Sequence, residues 1–226
     1  MKYLLWDFDN TLAYRDGMWS NTIYELLNDY GYKNISINDI RPLLSSGFPW
    51  HNYDISHAEY FKGKTWWEYM NKYFEGIFLQ LGIDKNSASK LSELIREKYL
   101  LNDKWHLYDD TIECLKTTIK KGYKNIVVSN HVPELEEIIE NLGIRNYFLE
   151  VFTSAKIGYE KPNIKVFQNV LNILGDYNSA IMIGDSYIAD VQGALNAGID
   201  AILVRNNNQN SYDKYFPTLT ELAGFI

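Results

Sequence analysis

Short apolar runs alternating with helical apolar patterns restrict this chain more than any other feature. Residues 3–6 form one run, closed by Asp7. Residues 125–129 (NIVVS), 180–184 (AIMIG) and 201–204 (AILV) form three more, and 150–153 (EVFT) is a weaker candidate. Continuous apolar runs of this length suit strands buried on both faces, as in a parallel sheet. Between them, apolar residues recur at helical spacing. Ile112, Leu115 and Ile119 mark one helix, and Leu135, Ile138, Ile139 and Leu142 mark another, stopped by Gly143. Val166, Phe167, Val170, Leu171 and Leu174 mark a third, expected to start at Pro162 and end at Gly175. A fourth is expected over 190–197, ending at Gly198. The alternation predicts an α/β fold, a Rossmann-like doubly wound parallel sheet covered by helices on both faces.

Residues 14–102 break the alternation. Trp19, Ile23, Leu26, Leu27 and Tyr30 form a helical stripe ending at Gly31. Thr65 and Glu68 have capping-box spacing and open a stripe of Trp66, Met70, Tyr73, Ile77 and Leu81. A further helix is expected over 87–99. The segment therefore reads as an all-helical insert between the first strand and the rest of the sheet.

Three predicted strands end in Asp7, Ser129 and Asp185. Open parallel sheets bind ligands at the carboxyl ends of their strands, so these residues are expected to meet on one edge. Asp7 and Asp9 put two carboxylates at one strand end. One can attack phosphorus; the other can protonate a leaving oxygen and later activate water. Asp185 and Asp190 add hard oxygen ligands of the kind magnesium takes. Asp190 also suits a helix N-cap. Several acids at one edge repel one another unless a cation joins them. Ser129 and the backbone at Asn130 can hold a phosphate oxygen, or simply mark a strand-to-turn boundary. Lys161 sits where a helix is expected to open, which the macrodipole disfavours; it is either solvated or neutralises a phosphoryl group.

Taken in order, these motifs resemble the haloacid-dehalogenase-like hydrolase superfamily. Asp7, Asp9 and Thr11 match its first motif, D-x-D-x-T; Ser129 matches the second, Lys161 the third, and Gly184, Asp185 and Asp190 the fourth, G-D-x-x-x-x-D. The resemblance implies an α/β core from 1–13 and 103–226, with 14–102 as a helical cap of the phosphoglycolate-phosphatase-like branch. It implies a magnesium-dependent phosphatase that forms a phospho-aspartate on Asp7, with Asp9 as general acid and base. Thr11, Ser129, Asn130 and Lys161 would bind the phosphoryl group. Magnesium would be held by Asp7, the Asp9 carbonyl and Asp185, with Asp190 in support. The family's dehalogenases lack the second aspartate, so Asp9 favours phosphate chemistry. Its sugar phosphomutases share every motif and stay open as an alternative, as does a non-catalytic binding protein that keeps the fold. His131, after Ser129 and Asn130, reads as a turn residue.

The net charge of −7 argues against nucleic acid or an anionic membrane as partner, but not against a small phosphate ester brought in by a metal ion. One cysteine, Cys114, excludes an intrachain disulfide. With no signal-like or membrane-spanning segment expected, the predicted location is the cytoplasm, as a monomer or homodimer. Aromatic residues reach 15% of the chain, and they cluster over residues 45–61. Trp50, His51, Tyr53 and His57 in this stretch, followed by Tyr60 and Phe61, either line a substrate pocket or pin the loop onto the insert.

Overall fold

The computed structural model describes residues 1–60 and 64–226; Phe61 lies outside them, and of Tyr60 only the backbone is described. In chain order the strands are β1 (Lys2–Trp6), β2 (Ala13–Arg15), β3 (Trp105–Leu107), β4 (Lys124–Ser129), β5 (Phe148–Thr153), β6 (Ser179–Gly184), β7 (Asp200–Val204) and β8 (Tyr215–Phe216). The α-helices are α1 (Met18–Asp29), α2 (Ile37–Ile40), α3 (Lys64–Gln80), α4 (Lys85–Tyr99), α5 (Thr111–Lys120), α6 (Leu135–Asn141), α7 (Ser154–Ile157), α8 (Ile164–Leu174), α9 (Gly193–Asn196) and α10 (Leu219–Phe225). A π-helical turn, Tyr187–Gln192, runs straight into α9.

Six strands form one parallel sheet in the order β5-β4-β1-β6-β7-β8. The chain builds outward from β1 through β4 and β5, then crosses back to β6 on the other side of β1. That reversal makes a crevice beside the carboxyl end of β1, where open α/β sheets bind ligands. Side chains of β1 alternate between two cores. Leu4 and Trp6 join one, Tyr3 and Leu5 the other, and all four are buried. The expected doubly wound sheet is therefore present, and the weak run at 150–153 is its edge strand β5.

Among the described residues, everything between β2 and β3 is helix or turn. β2 and β3 pair antiparallel, Ala13 with Leu107 and Arg15 with Trp105, where the chain leaves and re-enters the α/β core. Neither short strand has an alternation long enough to show in the sequence. The apolar cluster on the Leu4–Trp6 face continues through Phe8 and Trp105 into Tyr99, Trp19 and Phe74 of the helical insert.

Three local expectations need correction. Helix α8 starts at Ile164, not Pro162, because the Asn163 side chain caps it by accepting from Lys165 N at 3.0 Å. Thr65 lies within α3, which already contains Lys64, so the expected capping box does not start that helix. The helix expected over 190–197 begins earlier, as a π-helical turn capped by Ser186, whose side chain accepts from Ala189 N at 3.1 Å. Asp190 is therefore not an N-cap.

Candidate active site

Parallel register brings the separated motifs together. Trp6 pairs with Val127 of β4 and Ile183 of β6, so Asp7 emerges between the ends of both neighbouring strands. Its backbone N–H donates to Ile183 O at 2.9 Å. Ser129 Oγ and Lys161 Nζ both donate to Asp7 Oδ1, each at 2.8 Å. Among the described residues Oδ2 receives no protein hydrogen bond. One oxygen of this carboxylate is thus fixed while the other is free.

Lys161 is buried and makes a second ion pair, to Asp190 Oδ1 at 2.6 Å. Burial alone would lower its pKa, but the charges and hydrogen bonds of Asp190 and Asp7 outweigh it and hold the ammonium above its ordinary value. The helix dipole plays no part in this, since Lys161 precedes the Asn163 cap. Asn130 clamps the lysine's backbone from both sides. Its Nδ2 donates to Lys161 O at 2.9 Å, and its Oδ1 accepts from Lys161 N at 2.8 Å. That side chain is committed to the lysine's backbone, which leaves the Asn130 backbone, the group expected from the sequence, to meet an anion.

Asp190 Oδ2 accepts from Ser186 N at 2.9 Å, so both its oxygens already have partners. This packing explains Gly184: a Cβ there would lie 2.1 Å from Asp190 Oδ2, far inside contact distance. Gly193 plays a similar part, because its Cβ would sit 2.8 Å from the Pro162 backbone next to Lys161.

Ligand oxygens of Asp7, Asp185 and Asp190 lie within 4.8 Å of one another. Burial, then the charges of Asp7 and Asp190, push the Asp185 carboxyl up to about 8, with Lys161 opposing. Burial also raises Asp190 against the pull of Lys161. Such crowding of acids fits a divalent cation bound through oxygen. The uncommitted carboxylates are Asp7 and Asp185; Asp190 is better placed to hold Lys161.

Asp9 turns outward, its side chain 20% exposed, and so can reach a ligand. Burial, then the charges of Asp7 and Asp185, hold its carboxyl well above the usual carboxylate range. Thr11, by contrast, is fully buried, and its carbonyl accepts from Arg205 Nε at 2.9 Å. It shapes the turn instead of meeting a phosphoryl group, which corrects the expectation for Thr11.

Beside Asp9 opens a hollow of about 260 Å³, walled by Met18, Trp19, Trp50, Tyr99, His131 and Val132. Trp50 is half-buried with Phe48 stacked on one ring face, centroids 4.4 Å apart. His51 is exposed, and its Nδ1 accepts from Phe48 N at 3.3 Å. Tyr53 and His57 lie away from the hollow, against the loop that carries Lys161. Asn163 Nδ2 donates to Tyr53 O at 2.8 Å, His57 N donates to Gly158 O at 2.8 Å, and the buried His57 Nδ1 faces Glu160 Oε2 at 2.6 Å. Trp50 thus lines a hollow, while Tyr53 and His57 tie the loop to the Lys161 segment and not, as expected, onto the insert by their rings.

Sequence reasoning missed four supporting groups. Glu160 pairs with His57, and Arg205 grips the first-motif turn while paired to Asp110. Asn206 Nδ2 donates to Asp185 O at 2.6 Å. His131 is not a plain turn residue. It is buried, with Nε2 3.6 Å from Asp9 Oδ1, and burial lowers it to about 4, so its imidazole is uncharged.

Residues 51–204 match the family model described as haloacid dehalogenase-like hydrolase, and the chain belongs to that family. It is 38% identical over 102 residues to the glyceraldehyde 3-phosphate phosphatase of Methanothermobacter thermautotrophicus, a match covering 44% of this chain and 45% of that protein. It is 31% identical over 163 residues to haloacid dehalogenase-like hydrolase domain-containing protein 3 of Bos taurus, covering 71% of this chain and 62% of the relative. The chain thus spans under two thirds of both. The pyrimidine 5'-nucleotidase PynA of Streptococcus pneumoniae is 24% identical over 96% of this chain and 89% of its own. The magnesium-bound structure of YfnB from Bacillus subtilis, described there as a putative HAD-hydrolase, superposes with a TM-score of 0.69 at 19% identity, covering 99% of this chain and 97% of that one.

Proposed function

We propose that the chain is a magnesium-dependent phosphatase that hydrolyses a small phosphorylated metabolite through a phospho-aspartate on Asp7. The observation carrying this reading is the Asp7 carboxylate, whose Oδ1 is tied by Ser129 and Lys161 while Oδ2 stays free at the crevice of the sheet. Relatives named as a glyceraldehyde 3-phosphate phosphatase and a pyrimidine 5'-nucleotidase support phosphate-ester chemistry.

In the first half-reaction, Asp7 Oδ2 attacks phosphorus in line. The bond from phosphorus to the leaving alcohol breaks, and Asp9 gives its proton to that oxygen. In the second, the Asp9 carboxylate takes a proton from water. The water oxygen attacks phosphorus, and the bond to Asp7 breaks to release inorganic phosphate. Lys161 and Ser129 hold the nucleophile and offset phosphoryl charge throughout. Asp7, Asp185 and the Asp9 carbonyl would hold magnesium, which when bound neutralises charge on the phosphoryl oxygens. Residues 14–102 act as the cap, closing over Asp9 and limiting bulk water.

A phosphomonoester panel tests the reading. Turnover is expected with magnesium and lost with EDTA. Undiminished turnover in excess chelator, or none on any ester with magnesium, contradicts it.

A further inference from the structure

The hollow beside Asp9 has a chemical character of its own. Asp9 is where a departing alcohol would take its proton, so whatever is bonded to that oxygen must lie in the hollow. Its walls are mostly rings and short apolar chains, with Asp9, Asn10 and Asn130 as the polar members. Trp19 is stacked on Tyr99, centroids 3.9 Å apart at 6°, which fixes a rigid floor. Among the described residues lining it there is no lysine or arginine. His131 in the wall is buried, its ring edge against Phe8. Among the described residues lining the hollow, Asp9 is the one carboxylic acid. A carboxylate or second phosphate on the carbon next to the ester would enter this wall without a lysine or arginine as counter-charge. A flat uncharged group would displace water from aromatic surface.

A second hollow of about 300 Å³ shares Met18, Trp19 and Trp50 and adds Arg41 and His51. Trp50 lines both. Any anionic substituent on the substrate would have to lie past Trp50, toward Arg41, and not beside the scissile bond.

We infer that the hollow is a leaving-group subsite for phosphomonoesters whose alcohol carries an uncharged, flat ring or similar apolar group next to the esterified carbon, with Trp50 as the residue that selects it. This rests on the phosphatase reading above and sharpens it. Esters such as phosphoglycolate, with a carboxylate beside the ester carbon, are poor fits.

The test compares benzyl phosphate, ethyl phosphate and phosphoglycolate, all esters of primary alcohols, in magnesium buffer, with acetyl phosphate as a check on basic phosphatase chemistry. The expected kcat/KM for benzyl phosphate exceeds that for ethyl phosphate by about 10- to 100-fold, the scale of a filled apolar pocket. Phosphoglycolate is expected below ethyl phosphate. Trp50→Ala should collapse the benzyl-to-ethyl ratio toward one, and Trp50→Phe should restore most of it. A phosphoglycolate rate equal to or above benzyl phosphate, or a ratio that Trp50→Ala leaves intact, overturns the subsite while leaving the phosphatase reading standing. If no ester and no acetyl phosphate is hydrolysed, the phosphatase reading fails, and tryptophan fluorescence decides the subsite. Benzylphosphonate binding at least tenfold tighter than phosphonoacetate, and weakened by Trp50→Ala, supports it; equal binding, or none, overturns it.

Discussion

Asp7 and Asp9 are two residues apart, yet their surroundings push them into different roles. Asp7 Oδ1 accepts from a hydroxyl and from a buried ammonium. Burial, then the charges of Asp7 and Asp185, hold Asp9 well above the usual carboxylate range against the pull of Lys161. On the proposed reading, Asp7 is the nucleophile and Asp9 the general acid. Asp9→Asn is therefore expected to cost about 10²–10⁴-fold in turnover of an alkyl phosphate, whose leaving oxygen needs a proton. The loss should shrink markedly for p-nitrophenyl phosphate. Equal losses on both substrates, compared by steady-state kinetics, contradict the acid role. The two aspartates, Lys161 and Asp185 were legible in the sequence because each sits at a strand end or beside a glycine-marked turn. His131, Arg205 and Glu160 were not. Their partners, Asp9, Asp110 and His57, are distant in sequence, and no local pattern marks a contact made only by folding.

At the scale of elements, the site depends on the loop from Gly158 to Asn163. Besides the Lys161 ion pairs, it is held by the two-way Asn130 clamp, the His57–Glu160 pair, the bond from His57 N to Gly158 O, and the bond from Asn163 to Tyr53 O. Asn130→Ala removes the clamp without touching any reacting atom. It is expected to lower kcat/KM by about 10- to 100-fold on every phosphate ester alike, since a misplaced Lys161 harms the chemistry and not the choice of substrate. A substrate-dependent loss would place Asn130 at the specificity surface instead. Periodicity predicted the large helices and the four strong strands well. It failed at β2, β3 and β8, which are two or three residues long, and at the π-helical turn, where Ser186 caps earlier than the spacing suggests.

For the whole molecule, the buried acids make stability depend on pH and metal together. Asp185 is raised in the folded state from 3.8 to about 8. Between those values the folded protein keeps a proton that the unfolded chain has lost. Its contribution is therefore favourable at low pH and disappears as pH rises from about 4 to about 8. In EDTA, Asp185→Asn should gain melting temperature relative to the wild type across that window. In magnesium the order should reverse, because the variant lacks a ligand. A cation bound only to the folded state adds about 2.7 kcal/mol at 100 times its Kd. A difference in melting temperature that stays flat with pH and unchanged by magnesium would show that Asp185 is neither crowded nor a ligand.

The central claim is that phosphorus passes through a covalent bond to Asp7, and trapping that bond tests it most directly. A single turnover with radiolabelled ester is quenched in acid, reduced with borohydride and mapped by peptide mass spectrometry. Borohydride converts an aspartyl phosphate to homoserine. The predicted result is homoserine at position 7 in the wild type, no label in Asp7→Asn, and a turnover loss of at least about 10³-fold in that variant with folding intact. Normal turnover by Asp7→Asn, or label retained on a different residue, would contradict the account.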